Sequence, residues 1–125
     1  MNLIENIGKE QLSFGDSEFV RENFLIEDLL IEDEILMHYT PYDRIIIGGV
    51  MPINKTLVLP SYDKLLKSSY FCERREIGII NIGDEGTIIA DGVKYTIAQY
   101  GCLYLGKGTQ QIEFIQASAG IKPMY

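Results

Sequence analysis

The chain has 125 residues, 46% of them hydrophobic, and a formal net charge of −7. That length fits a single domain, residues 1–125, with a real core, and the slightly positive mean hydropathy of +0.04 places it in the soluble globular class. No apolar run approaches the ~18–20 residues of a membrane span, and no basic cluster exceeds Arg74-Arg75, so a membrane or nucleic-acid partner is not expected.

The opening MNLIENIGKEQL has no basic stretch followed by an apolar one, so the expected address is the cytoplasm. Residues 16–23 predict a short helix capped by Asp16 or Ser17. Strands are then expected at 23–30, at 34–39 (Ile35, Met37 and Tyr39 alternate), at 44–50 and at 56–59. A second short helix is expected at 61–67, followed by strands at 69–78 and 79–82. The clearest hairpin sets 87–90 against 93–97 through the two-residue turn Asp91-Gly92. Strands at 102–105 and 112–116 complete the set. About eight to ten short strands and at most two short helices predict an all-β barrel or jelly roll. Cys72 and Cys102 fall in apolar strands and are expected as buried, reduced thiols. The chain closes on Ile121-Lys122-Pro123-Met124-Tyr125, as if a further segment should come after it.

Few motifs carry chemistry. Gly101 to Lys107 has most of the spacing of a phosphate-binding loop, but Gly108 replaces the Ser or Thr that would hold Mg²⁺, and no helix comes after it. Gly48-Gly49 reads as a bulge or close-packing site, with Pro52 blocking a helix after it. His38 is the only histidine, and zinc motifs of the Cys-x-x-Cys type are absent.

The run Glu73-Arg74-Arg75-Glu76 is harder to place. In a strand, either register sends one Arg and one Glu inward, at a cost of several kcal/mol unless they are paired or wetted. Metal-binding cupins carry two histidines one residue apart, then a Glu, then a Gly seven positions on. Here Glu76 precedes Gly83 by seven, and the histidine positions fall on Tyr70 and Cys72. Gly101 and Gly106-Lys107-Gly108 resemble the Gly-rich turn of the second cupin motif, which puts its histidine position near Gln111. A cupin-type barrel is therefore expected, with Tyr70, Cys72, Arg74, Glu76 and Gln111 as polar interior positions. An Arg74–Glu76 pair would occupy the space of the metal, and no metal site or cofactor is expected in this chain.

The blocks ENFLIEDLL, YDRIIIGGVMPINKTL, SYFCERREIGIINIGDEGTIIADG and LYLGKG, spread from about Val20 to Tyr125, resemble the N-terminal half of the 5-keto-4-deoxyuronate isomerase family. The resemblance implies a bicupin fold, ketol-isomerisation of a uronate-derived sugar acid in pectin breakdown, and a homo-oligomer, a hexamer in that family. It also implies zinc in the second cupin, held by three histidines and a glutamate that have no counterparts here. The isolated chain is then expected to be inactive. The competing expectation is a non-catalytic cupin that serves assembly or binds a sugar acid.

Overall fold

Short alternating apolar runs separated by Gly, Pro and Asp leave this chain little option but strands. The computed structural model describes residues 1–4, 7–41 and 44–125. Tyr42-Asp43, which opens one of the resembling blocks, and Glu5-Asn6 of the N-terminal stretch lie outside them. In chain order the elements are β1 (Asn2–Leu3), α1 (Lys9–Phe14), α2 (Ser17–Phe24), β2 (Ile35–Thr40), β3 (Ile45–Val50), β4 (Leu57–Val58) and α3 (Asp63–Leu66). Next come a 3-10 turn at Phe71–Glu73, then β5 (Ile77–Ile80), β6 (Gly86–Ala90), β7 (Val93–Ile97), β8 (Cys102–Leu105) and β9 (Ile112–Phe114).

The expected all-β, cupin-like class is present. The strands form three sheets, ordered β1-β2-β3, β4-β9-β6-β7 and β5-β8. All pairings between named strands are antiparallel except β1 with β2. The β6–β7 hairpin turns on Asp91 (φ 47°) and Gly92 (φ 82°), two positive-φ positions that give the twist a two-residue hairpin needs. The Asp91 carboxylate also accepts the N–H groups of Gln110 (3.0 Å) and Gln111 (2.8 Å), which ties the turn to the start of β9.

Inner faces of the sheets meet in one apolar core that includes Met37, Val50, Phe71, Cys72, Ile79, Ile88, Ile112, Phe114 and Tyr125. Fully buried Asn81 joins the elements around it. Its amide donates to the carbonyls of Asp84 (2.7 Å) and Ile97 (2.9 Å), and its oxygen accepts from Gly83 N–H (3.1 Å) and Met124 N–H (3.3 Å). Each of those groups would otherwise be a polar atom withdrawn from water.

Four expectations are corrected. Residues 23–30 are not a strand. The helix capped by Asp16, whose carboxylate accepts Phe19 N–H at 2.9 Å, runs on through Phe24 and gives way to an irregular stretch. That stretch passes so close to β3 that a Cβ on Gly49 would strike the Leu29 carbonyl, which bears out the close-packing reading of the glycine pair. Among the described residues there are three helices rather than at most two, since α1 adds to the two expected. Residues 69–76 are not strand, because the 3-10 turn interrupts them and β5 begins only at Ile77. Finally, both cysteines are free thiols, but Cys102 is exposed on β8 whereas Cys72 is buried.

Candidate functional site

A cavity of about 390 Å³ opens between β3 and β5. Inward alternation along the two strands supplies Ile46, Gly48 and Val50 on one side and Ile77 and Ile79 on the other. Met37, Phe71, Phe114 and Tyr125 make the apolar floor, while Arg44, Arg75 and Glu76 supply the charge. Arg44 and Glu76 stand immediately before β3 and β5, so the polar groups share the end of the cavity where those strands begin.

Local side-chain bonds explain how the charged run folds. Glu73 accepts the Ser69 N–H and closes the 3-10 turn. Arg75 donates to the Phe71 carbonyl (3.1 Å) and lies over the Phe71 ring, 5.6 Å from its centroid. That contact holds a guanidinium beside the cavity with little conformational freedom. Glu76 is exposed, and across the β5–β8 ladder its neighbour on the same face is Tyr104. A hydrogen bond from the Tyr104 phenol to the Glu76 carboxylate, with smaller contributions from desolvation and the carboxylate's charge, raises the phenol's pKa above its ordinary value.

The five expected interior positions are therefore dispersed. Cys72 is inside, with its thiol pKa pushed up mainly by burial. Tyr70 is half-buried and shares a shallow surface depression with exposed Gln111. Glu76 reaches the cavity, but Arg74 is exposed in a different depression beside Glu73. The Arg74–Glu76 interior pair does not form, because the turn at 71–73 destroys the alternation it relied on. Arg75 and Arg44 are the cations at the cavity, and neither was foreseen. The signal available for Arg44 was its place at the head of the apolar run RIIIGGV. His38 lies on β2 next to inward-facing Met37, on the opposite face of the strand.

These positions do not form the metal site that general cupin spacing would place on them, and the zinc that the family resemblance implies belongs to the second cupin. Gln111 is exposed and its amide donates to Glu113, Cys72 is enclosed in apolar core, and Glu76 stands apart from both. Among the described residues no three His, Cys, Asp or Glu side chains gather into a group that could hold a metal ion. Nor, among them, is any helix long and apolar enough to cross a membrane.

No family model matches the chain. Individual proteins do. It is 42% identical over 121 residues, 96% of its length, to the 4-deoxy-L-threo-5-hexosulose-uronate ketol-isomerase of Escherichia coli O9:H4 (strain HS), and 44% identical over 115 residues to that of strain SE11. A protein of the same name from Halalkalibacterium halodurans is 47% identical over 95 residues, 76% of the chain. These matches take up only 44%, 41% and 34% of the respective relatives, so the chain spans less than half the length of the curated proteins it matches. Over nearly all of its own length, the chain is similar to one half of a 4-deoxy-L-threo-5-hexosulose-uronate ketol-isomerase.

Proposed function

We propose that this chain is the first, zinc-free cupin of a ketol-isomerase that interconverts aldose and ketose forms of a uronate-derived sugar acid in pectin breakdown. The observation that carries the reading is the 42% identity over 96% of the chain to proteins named for that activity. Ketol-isomerisation needs a base to take a proton beside a carbonyl and an electrophile to hold the enediolate oxygen. At the cavity, Glu76 is a carboxylate and Arg44 and Arg75 are cations, but no arrangement of these residues alone assembles the full chemistry. In this reading the chain acts as part of a homo-oligomeric cytoplasmic enzyme whose reacting centre lies in its other half.

A second reading, binding of a sugar acid without turnover, is favoured by the cavity itself, since two guanidinium groups beside an apolar floor suit a carboxylate carried on a small ring. The gene separates the two. An open frame after the Tyr125 codon that encodes a His-x-His cupin motif supports the isomerase half, and the protein it encodes should isomerise the sugar acid while the 125-residue chain alone does not. A stop codon directly after Tyr125 in an intact gene overturns the first reading in favour of the second.

A further inference from the structure

We propose that the gap between β3 and β5 is a strand acceptor, filled in chains of the relatives' length by the segment that continues from Tyr125, antiparallel to both edges.

The last residues already begin that strand. Tyr125 N–H donates to the Val50 carbonyl (3.0 Å) and Val50 N–H donates to the Tyr125 carbonyl (2.9 Å), the mutual exchange of a hydrogen-bonded antiparallel pair. On the other side, Ile82 N–H donates to the Met124 carbonyl (2.8 Å) and Asp84 N–H to the Lys122 carbonyl (3.0 Å). One set of numbers falls as the other rises, so this pairing is antiparallel too.

The edges ahead of Tyr125 match in register. Successive residues of a strand turn their N–H and C=O groups to alternate sides. Val50 faces Tyr125, so Gly48 and Ile46 face the gap. Asn81 bonds toward β8, donating to the Gly101 carbonyl (3.0 Å) and accepting from Tyr100 N–H (2.6 Å). Ile82, Ile80 and Gly78 therefore face the other way, into the same gap. A continuing strand would offer its first residue to Ile80, its second to Gly48, its third to Gly78 and its fourth to Ile46. The two edges thus ask for alternate residues, and one strand satisfies both without conflict.

The same residues line the cavity. Two facing edges with no partner strand among the described residues are a pairing hazard in any β protein. One added strand would join the three-stranded and two-stranded sheets. Its side-chain chemistry is set by Tyr125, whose ring packs inward against Phe114 with centroids 5.4 Å apart. The second and fourth residues beyond it point the same way, toward Met37, Phe71 and Ile79, and should be apolar. Since the chain spans only 44% of the Escherichia coli O9:H4 relative, such a protein has ample length to supply this segment. The inference does not depend on the isomerase reading, and a strand that fails to dock leaves the sequence similarity untouched.

The test compares the 125-residue chain with the same chain extended by about ten residues, a full strand's length, copied from the Escherichia coli O9:H4 relative immediately C-terminal to its Tyr125-equivalent position. The readout is amide hydrogen exchange, resolved by NMR. The extension should slow exchange at Ile46, Gly48, Gly78 and Ile80 by roughly tenfold or more, as ladder pairing removes amides from water. Asp91 and Gly92, at the β6–β7 turn and outside the cavity lining, serve as unaffected references. A second variant, with proline as the second added residue, lacks the N–H that would donate to Gly48 and should lose most of that protection. Unchanged exchange at the four amides, protection along one edge only, or indifference to the proline each overturns the proposal. So does concentration-dependent protection of the four amides in the unextended chain that persists when Ile47 and Ile80 are replaced by lysine, which would make a second copy the occupant.

Discussion

Tyr125 combines a buried ring with a hydroxyl that has no hydrogen-bond partner among the described residues. The hydroxyl fits only because Gly86 has no Cβ to collide with it. Burial pushes the phenol's pKa up to about 12 from its ordinary 10.0. Below 10.0 folded and unfolded chains both keep the proton, and the full stability is present. Between 10.0 and about 12 the unfolded chain releases the proton while the folded chain holds it, so stability falls as pH rises through that window. Tyr125→Phe should reduce the alkaline loss in urea titrations across the pH range, leaving the part that comes from other raised groups such as Cys72 and Tyr104. At neutral pH it should leave stability unchanged or raised by up to ~1 kcal/mol, because an unsatisfied polar atom is removed. A clear loss at neutral pH would show that the hydroxyl does have a partner.

The two adjacent arginines make a second comparison at this scale. Arg75→Met gives up the bond to the Phe71 carbonyl and the stacking on its ring, and should cost roughly 1–2 kcal/mol. Arg74→Met removes an exposed side chain with no ion pair among the described residues and should cost under about 0.5 kcal/mol. Chemical denaturation of the two variants side by side checks this, and equal effects would return Arg74 to the interior.

At the scale of elements, what could be read in advance depended on whether an element answers to its own residues. Helix α2 was legible because Asp16 caps it, β7 because the Asp91-Gly92 turn marks its start, and β8 because Gly101 and Gly106 bracket it. Apolar periodicity misled at 23–30, where a helix continues and the backbone beyond it is positioned by contact with Gly49, a neighbour distant in sequence. It misled again at 69–76, since Glu73 and Arg75 bond to nearby backbone and so compete with the strand ladder. The candidate site inherited that second error. Glu76 reached the cavity, but the cations beside it, Arg44 and Arg75, are not the residue that alternation from Glu76 selects. Asn81 was invisible for a related reason, as its partners lie in three separate stretches of chain, at 83–84, 97 and 124. Asn81→Ala should cost roughly 3–5 kcal/mol by orphaning several buried backbone groups together. Native-state hydrogen exchange should register it first as exposure of Gly83 and Met124, and a loss under 1 kcal/mol would mean that water replaces the amide without penalty.

For the molecule as a whole, the apolar residues that remain outside are not scattered singly. Ile80 (58% exposed) and Tyr104 (63%) share the outer face of the β5–β8 sheet with Gly78 and Cys102, and Ile45 (49%) and Ile47 (40%) line the outer face of β3. The polar residues that normally finish the solvent side of an antiparallel sheet are sparse on both: His38 and Thr40 stand opposite Ile47 and Ile45, and Glu76 stands at the end of the β5 row. A net charge of −7 opposes close approach of copies, and Glu76 places an acid at the end of the β5–β8 strip. Contiguous apolar surface of this kind marks an interaction face more often than idle solvent surface. Sedimentation velocity across a concentration series should therefore show reversible association that strengthens with salt, as screening removes the repulsion while apolar contact persists. Replacing Ile47 and Ile80 together by lysine, outward-facing positions whose neighbours Met37 and Ile79 hold the core, should leave the circular dichroism spectrum intact and shift the population to monomer. If the wild-type chain stays monomeric at every concentration, or the lysine variant associates as strongly, these faces do not join copies of the chain. The proposed homo-oligomer would then need another face of the molecule.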